Sequence, residues 1–123
     1  MGMRVLWSLQ YKGSNPAIGL RKVEHVLGLR PSGSGSRSFV DQSHFIQFFS
    51  NLKAENWEGA VVEALDLASR YSRHWTITMS PGRVNASTVE RKVAEVSVLS
   101  FELNAAQYFQ TEVEFVNLAP SSA

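Results

Sequence analysis

Between Met3 and Tyr11 every second residue is large and apolar. Met3, Val5, Trp7, Leu9 and Tyr11 fall on one side, and Arg4, Leu6, Ser8 and Gln10 on the other. A period of two with a Trp and a Tyr predicts a half-buried strand, whose apolar side needs a layer packed on it. Lys12-Gly13-Ser14-Asn15-Pro16 ends the alternation. Asn15 can cap a helix and Pro16 suits its first turn.

The next segment supplies that layer. Leu20, Val23 and Leu27 recur at helical spacing from Ala17 onward, with Ile18 and Val26 beside them. Arg21, Lys22, Glu24 and His25 lie mostly on the opposite face, and Gly28 stands where a left-handed cap belongs. Residues 29–38 are rich in Ser and Gly, which predicts a flexible internal loop. Asp41 or Ser43 can cap a second helix, because Phe45, Phe48, Phe49 and Leu52 follow the i, i+3, i+4, i+7 rule. Asn56 can cap a third, from Trp57 to Ser72, with Val61, Leu65 and Ala68 inside. Its early acids and the later Arg70 and Arg73 match the helix dipole.

Alternation returns at His74–Ser80, where Trp75, Ile77 and Met79 share one side, and Pro81-Gly82 turns the chain. Residues 85–96 fit either a short helix or the lead-in to a long strand. Val96 to Leu103 favours a strand by its β-branched and aromatic content. Phe109, Thr111, Val113 and Phe115 alternate with Gln110, Glu112 and Glu114, which predicts a last strand; residues 119–123 are expected to fray. The expected order is β-α-α-α-β-(α)-β-β. It describes an α+β fold: an antiparallel or mixed sheet of about four strands with two to four helices on one face. At 123 residues, of which 44% are apolar, the chain is expected to form one domain with one core.

Chemistry is constrained mainly by what is missing. With no cysteine, disulfides, thiolate metal sites and thiol nucleophiles are excluded. His25, His44 and His74 lie on three different predicted elements and form no metal-ligand spacing, so no metal or cofactor is expected. Ser32-Gly33-Ser34-Gly35-Ser36 meets neither the nucleophile-elbow nor the phosphate-loop pattern. No apolar run approaches the ~20 residues that cross a bilayer, and the first residues lack the features of a signal peptide. The expected location is therefore the cytoplasm, with no membrane contact.

The charges are unevenly distributed. Residues 1–54 carry seven Lys and Arg against two acids, and residues 55–123 carry five against nine. A dipolar surface of this kind steers charged partners. With no catalytic motif, the sequence points to a protein-binding module, most concretely an immunity or antitoxin-type protein that covers a partner toxin or nuclease. Candidate contacts are the acids Glu55, Glu58, Glu63 and Asp66, the aromatic Trp57 beside them, and the loop cations Arg30 and Arg37. The alternatives are a small enzyme with a His/Glu site assembled in the fold, and a nucleic-acid or nucleotide binder using the basic N-terminal half. Oligomeric state is left open, because a free strand edge can pair with a copy or with a partner.

Overall fold

The computed structural model describes residues 3–38 and 43–105. Strand β1 (Arg4–Tyr11) lies inside a six-stranded sheet with β2 (Gly33–Ser38), β3 (His44–Asn51), β4 (Thr76–Ser80), β5 (Arg83–Thr88) and β6 (Val96–Asn104). The order across the sheet is β2-β3-β1-β6-β5-β4, and every neighbouring pair is antiparallel. Helix α1 (Pro16–Leu27) links β1 to β2, and helix α2 (Trp57–Ser69) links β3 to β4.

The register explains the core. Trp7 stands opposite Phe48 on one side and Phe101 on the other, and Leu9 opposite Ile46 and Leu99. These side chains share one face of the sheet, where they join Val23 and Leu27 of α1 and Ala60, Ala64 and Ala68 of α2 in one buried cluster. The Trp7 indole stacks on Phe48 and tilts against Phe101. Its Nε1 donates a buried 2.8 Å hydrogen bond to Ser50 Oγ, which satisfies two polar groups that would otherwise be stranded.

Both helices begin at their expected caps, and α2 ends at Ser69, short of the expected Ser72. Asn15 Oδ1 accepts from Ala17 N at 3.0 Å, and Asn56 Oδ1 accepts from Gly59 N at 2.7 Å. Gly28 adopts φ 68° and donates its N–H to Glu24 O. Within α2 the deepest stripe is Ala60, Ala64 and Ala68, with Val61 and Leu65 half-buried beside it. The helix is thus rotated from the expected Val61–Leu65–Ala68 stripe. Alanine lets the helix sit close to the sheet, whose own Trp7, Phe48 and Phe101 fill the space between the layers.

The expected architecture of about four strands with two to four helices is overturned: the described residues form six strands and two helices. The helix expected over Phe45–Leu52 is strand β3. Its Ile46 and Phe48 face the core, while Phe49 on the other face is buried with the Arg4 guanidinium 5.2 Å from its ring. A strand covered on both faces reads as a continuous apolar run, and here that run happens to match helical spacing. The loop expected over 29–38 contains edge strand β2, which pairs with β3 through its backbone from Gly33 to Ser38. A ladder at an edge needs few side chains, so its composition gave no signal. The ambiguous stretch 85–96 resolves into most of β5 and a turn before β6. The strand expected around Phe109–Phe115, the tail at 119–123 and Asp41 lie outside the described residues.

Candidate binding groove

The outer face of α1 carries Ile18, Arg21, Lys22 and His25, all exposed, one helical turn apart or adjacent. Facing it is the turn before β6, residues 92–95. Three contacts hold this turn in place. Lys12 N donates to Glu95 O at 2.8 Å, Val96 N donates to Val93 O at 3.0 Å, and Lys22 Nζ meets Glu95 Oε1 at 2.9 Å. Val93 is buried, so the turn is also anchored in the core. Tyr71 is buried as well, its hydroxyl near the backbone of Val93 and Lys92 without a well-formed bond to either. Burial pushes its phenol pKa up, and the nearby backbone offsets part of that rise.

Between α1 and this turn runs a groove of about 600 Å³. Ile18, Val26 and Val93 supply its apolar surface, Arg21, Lys22 and Lys92 its cations, and His25 lies among them. Glu95 is the one acid in the lining, and it is engaged by Lys22. The hydrogen bond between them holds the Lys22 pKa above its ordinary value and the Glu95 pKa below its own. A second depression, lined by Arg21, Glu24, His25, Gly28, Leu29 and Arg30, continues from the first. Together the two form a track with apolar patches, on which Arg21, Lys22, Lys92 and Arg30 outnumber Glu24 and Glu95. Neither is lined by Phe, Tyr or Trp.

The sequence candidates fall in several places. Arg30 lies on the cationic track. Arg37 sits on edge strand β2, opposite Phe45. Glu63 turns inward, and its carboxylate accepts the N–H groups of Lys53 and Ala54 at 2.9–3.0 Å. It therefore ties α2 to the chain leaving β3. Glu58 and Asp66 are exposed on α2 to either side of Val62, itself 67% exposed, and Asp66 lies 3.9 Å from Arg70. Glu55 is exposed, and Trp57 is half-buried against the core. Glu58 and Asp66 are thus exposed on α2, apart from the groove along α1.

The histidines do not meet. His25 lines the groove, His44 faces the Tyr11 ring at 6.4 Å, and His74 lies 4.0 Å from Glu90. Among the described residues no group of three or more His, Asp or Glu is placed to hold a metal ion. A smaller trough of about 360 Å³ crosses the face of the sheet away from the helices, lined by Ser8, Gln47, Thr76, Asn85, Ser100 and Glu102 among others. Several of its polar groups are paired: Gln47 donates to Ser8, Ser100 to the Ser8 carbonyl, and Arg83 holds Glu102 at 3.4 Å.

The sequence places Arg21 and Lys22 on the polar face of the first helix, but Lys92 and Glu95 carry no such signal. They reach α1 only because β6 pairs with β1 and brings the preceding turn beside the helix. Among the described residues no helix is long and apolar enough to cross a membrane. No protein-family model, characterised protein or solved structure matches the chain.

Proposed function

We propose that the chain is a protein-binding module without catalysis, whose groove along α1 receives an acidic, partly apolar segment of a partner protein. One observation carries this reading: the groove between α1 and the turn before β6 combines apolar side chains with the nitrogen side chains of Arg21, Lys22, His25 and Lys92, and its single acid is already paired. Such a surface gains from apolar burial and from charge complementarity together. An immunity or antitoxin-type protein is the most concrete instance. It would cover a toxin or nuclease through this face, needing shape and charge but no catalytic group. Nucleic acid is a weaker fit, because the track offers no Phe, Tyr or Trp on which bases could stack.

The test is capture of partners from a lysate of the source organism by the tagged full chain, beside an Arg21→Glu/Lys92→Glu variant. Both side chains are exposed, so the variant should melt within a few degrees of the parent. The expected result is one stoichiometric protein held by the parent and lost by the variant, with binding that weakens as salt rises. A partner retained equally by both forms, or RNA in place of protein, would overturn the reading.

A further inference from the structure

Among the described residues the sheet has two edges, and they differ in chemistry. Edge strand β2 is Gly-Ser-Gly-Ser-Arg-Ser and has no apolar side chain to cover. Edge strand β4 is Thr-Ile-Thr-Met-Ser, exposed along its whole length, without a charge or a proline. Natural sheets usually blunt such an edge with lysine, proline or a bulge. Nothing of that kind stands within β4.

The pairing of β4 with β5 fixes which groups the edge offers. The two-residue turn Pro81–Gly82 closes on Ser80 and Arg83, and the register continues through Thr78 with Asn85 and Thr76 with Ser87. In an antiparallel hairpin these alternate residues bond inward, so Ile77 and Met79 aim their N–H and C=O groups outward. The same register puts the Ile77 and Met79 side chains beside Ala86 and Val84, on the core side of the sheet. There they remain 43% and 60% exposed.

We infer that β4 pairs antiparallel with the β4 of a second copy, about a two-fold axis at Thr78, to give one sheet continuous across both copies. Under that axis Ile77 stands opposite the copy's Met79, and Met79 opposite the copy's Ile77. Both are outward-bonding positions, so the backbone groups match. On the core side the two apolar side chains cover their counterparts. On the other side Thr78 meets its own copy and Thr76 meets Ser80, pairs that suit adjacent strands. A shift by one residue would set Ile77 against Thr78 or Ser80 and lose the apolar match. The absence of charge in the strand removes like-charge repulsion between copies and gives no hold to a partner selected by charge. Arg83, the nearest cation after the turn, is engaged by Glu102. An isologous contact of this kind closes at two copies. None of the groove residues lies on β4, so the groove is left open by the pairing.

The experiment is sedimentation of the full chain over a concentration series, with amide hydrogen exchange read at Ile77 and Met79. The parent should sediment as a dimer with both amides protected. Met79→Lys places a charge at an exposed position and should weaken the dimer by about tenfold or more, with both amides exchanging quickly. Thr78→Lys should act the same way, because it sets two like charges directly opposite, and it serves if Met79→Lys fails to fold. A parent that stays monomeric at every concentration overturns the inference, whether its edge amides exchange freely or are protected within one chain. A dimer indifferent to both substitutions also overturns it.

Discussion

Lys22 Nζ lies 2.9 Å from Glu95 Oε1 and joins the outer face of α1 to the turn that precedes β6. The pair fixes one wall of the groove against the other and neutralises its only acid. Folding lowers the Glu95 pKa, so its contribution is present above the ordinary carboxylate value of 4.5 and is lost as pH falls through the folded value. Folding raises the Lys22 pKa, so its contribution is present below 10.5 and is lost as pH rises through the folded value. Both groups are solvent-exposed, so the effect on stability is small and screened by salt. Thermal melts of Glu95→Gln and the parent should therefore differ most between those limits and converge in acid. The same substitution frees Lys22, and should tighten the hold on an acidic partner several-fold at low salt.

Ser50→Ala leaves the Trp7 indole N–H buried with no acceptor. The expected cost is about 1–3 kcal/mol, read from urea unfolding. Trp7→Phe removes the donor instead, so adding Ser50→Ala to it should cost less than Ser50→Ala alone. Equal costs in both backgrounds would show that the hydrogen bond contributes nothing.

Gly19→Ala tests a close approach. A Cβ at Gly19 would lie 2.6 Å from the Tyr11 ring, which also fills the space a Cβ at Gly13 would need. Alanine is the better helix former by about 1 kcal/mol. The substitution should nevertheless destabilise by about 1–3 kcal/mol, because the buried ring has to move. A stabilised Gly19→Ala protein would mean that the ring is not held there.

Glu63→Ala removes the carboxylate that accepts from Lys53 and Ala54. A loss of about 1–2 kcal/mol is expected in thermal or urea unfolding, with no loss of partner capture. Loss of capture at unchanged stability would instead assign Glu63 to the partner surface.

What the sequence made legible was local. The alternation of Met3–Tyr11 and the caps Asn15, Gly28 and Asn56 each act within a few residues, and β1, α1 and α2 begin or end at them. The error at Phe45–Leu52 arose because burial on both faces depends on distant residues: Trp7 on one side, Arg4 on the other. The groove was half visible for the same reason. Arg21, Lys22 and His25 announce themselves as the polar face of a helix. Lys92 and Glu95 come beside them only through pairing between strands some 90 positions apart, such as Leu9 with Leu99.

The most direct test of the groove is an amide chemical-shift map of the isotope-labelled chain with its captured partner added. The account predicts shifts concentrated at Ile18, Arg21, His25 and Lys92–Glu95, continuing toward Arg30. Shifts confined to the exposed face of α2 around Glu58, Val62 and Asp66, or to the open face of the sheet around Ser8 and Gln47, would contradict it.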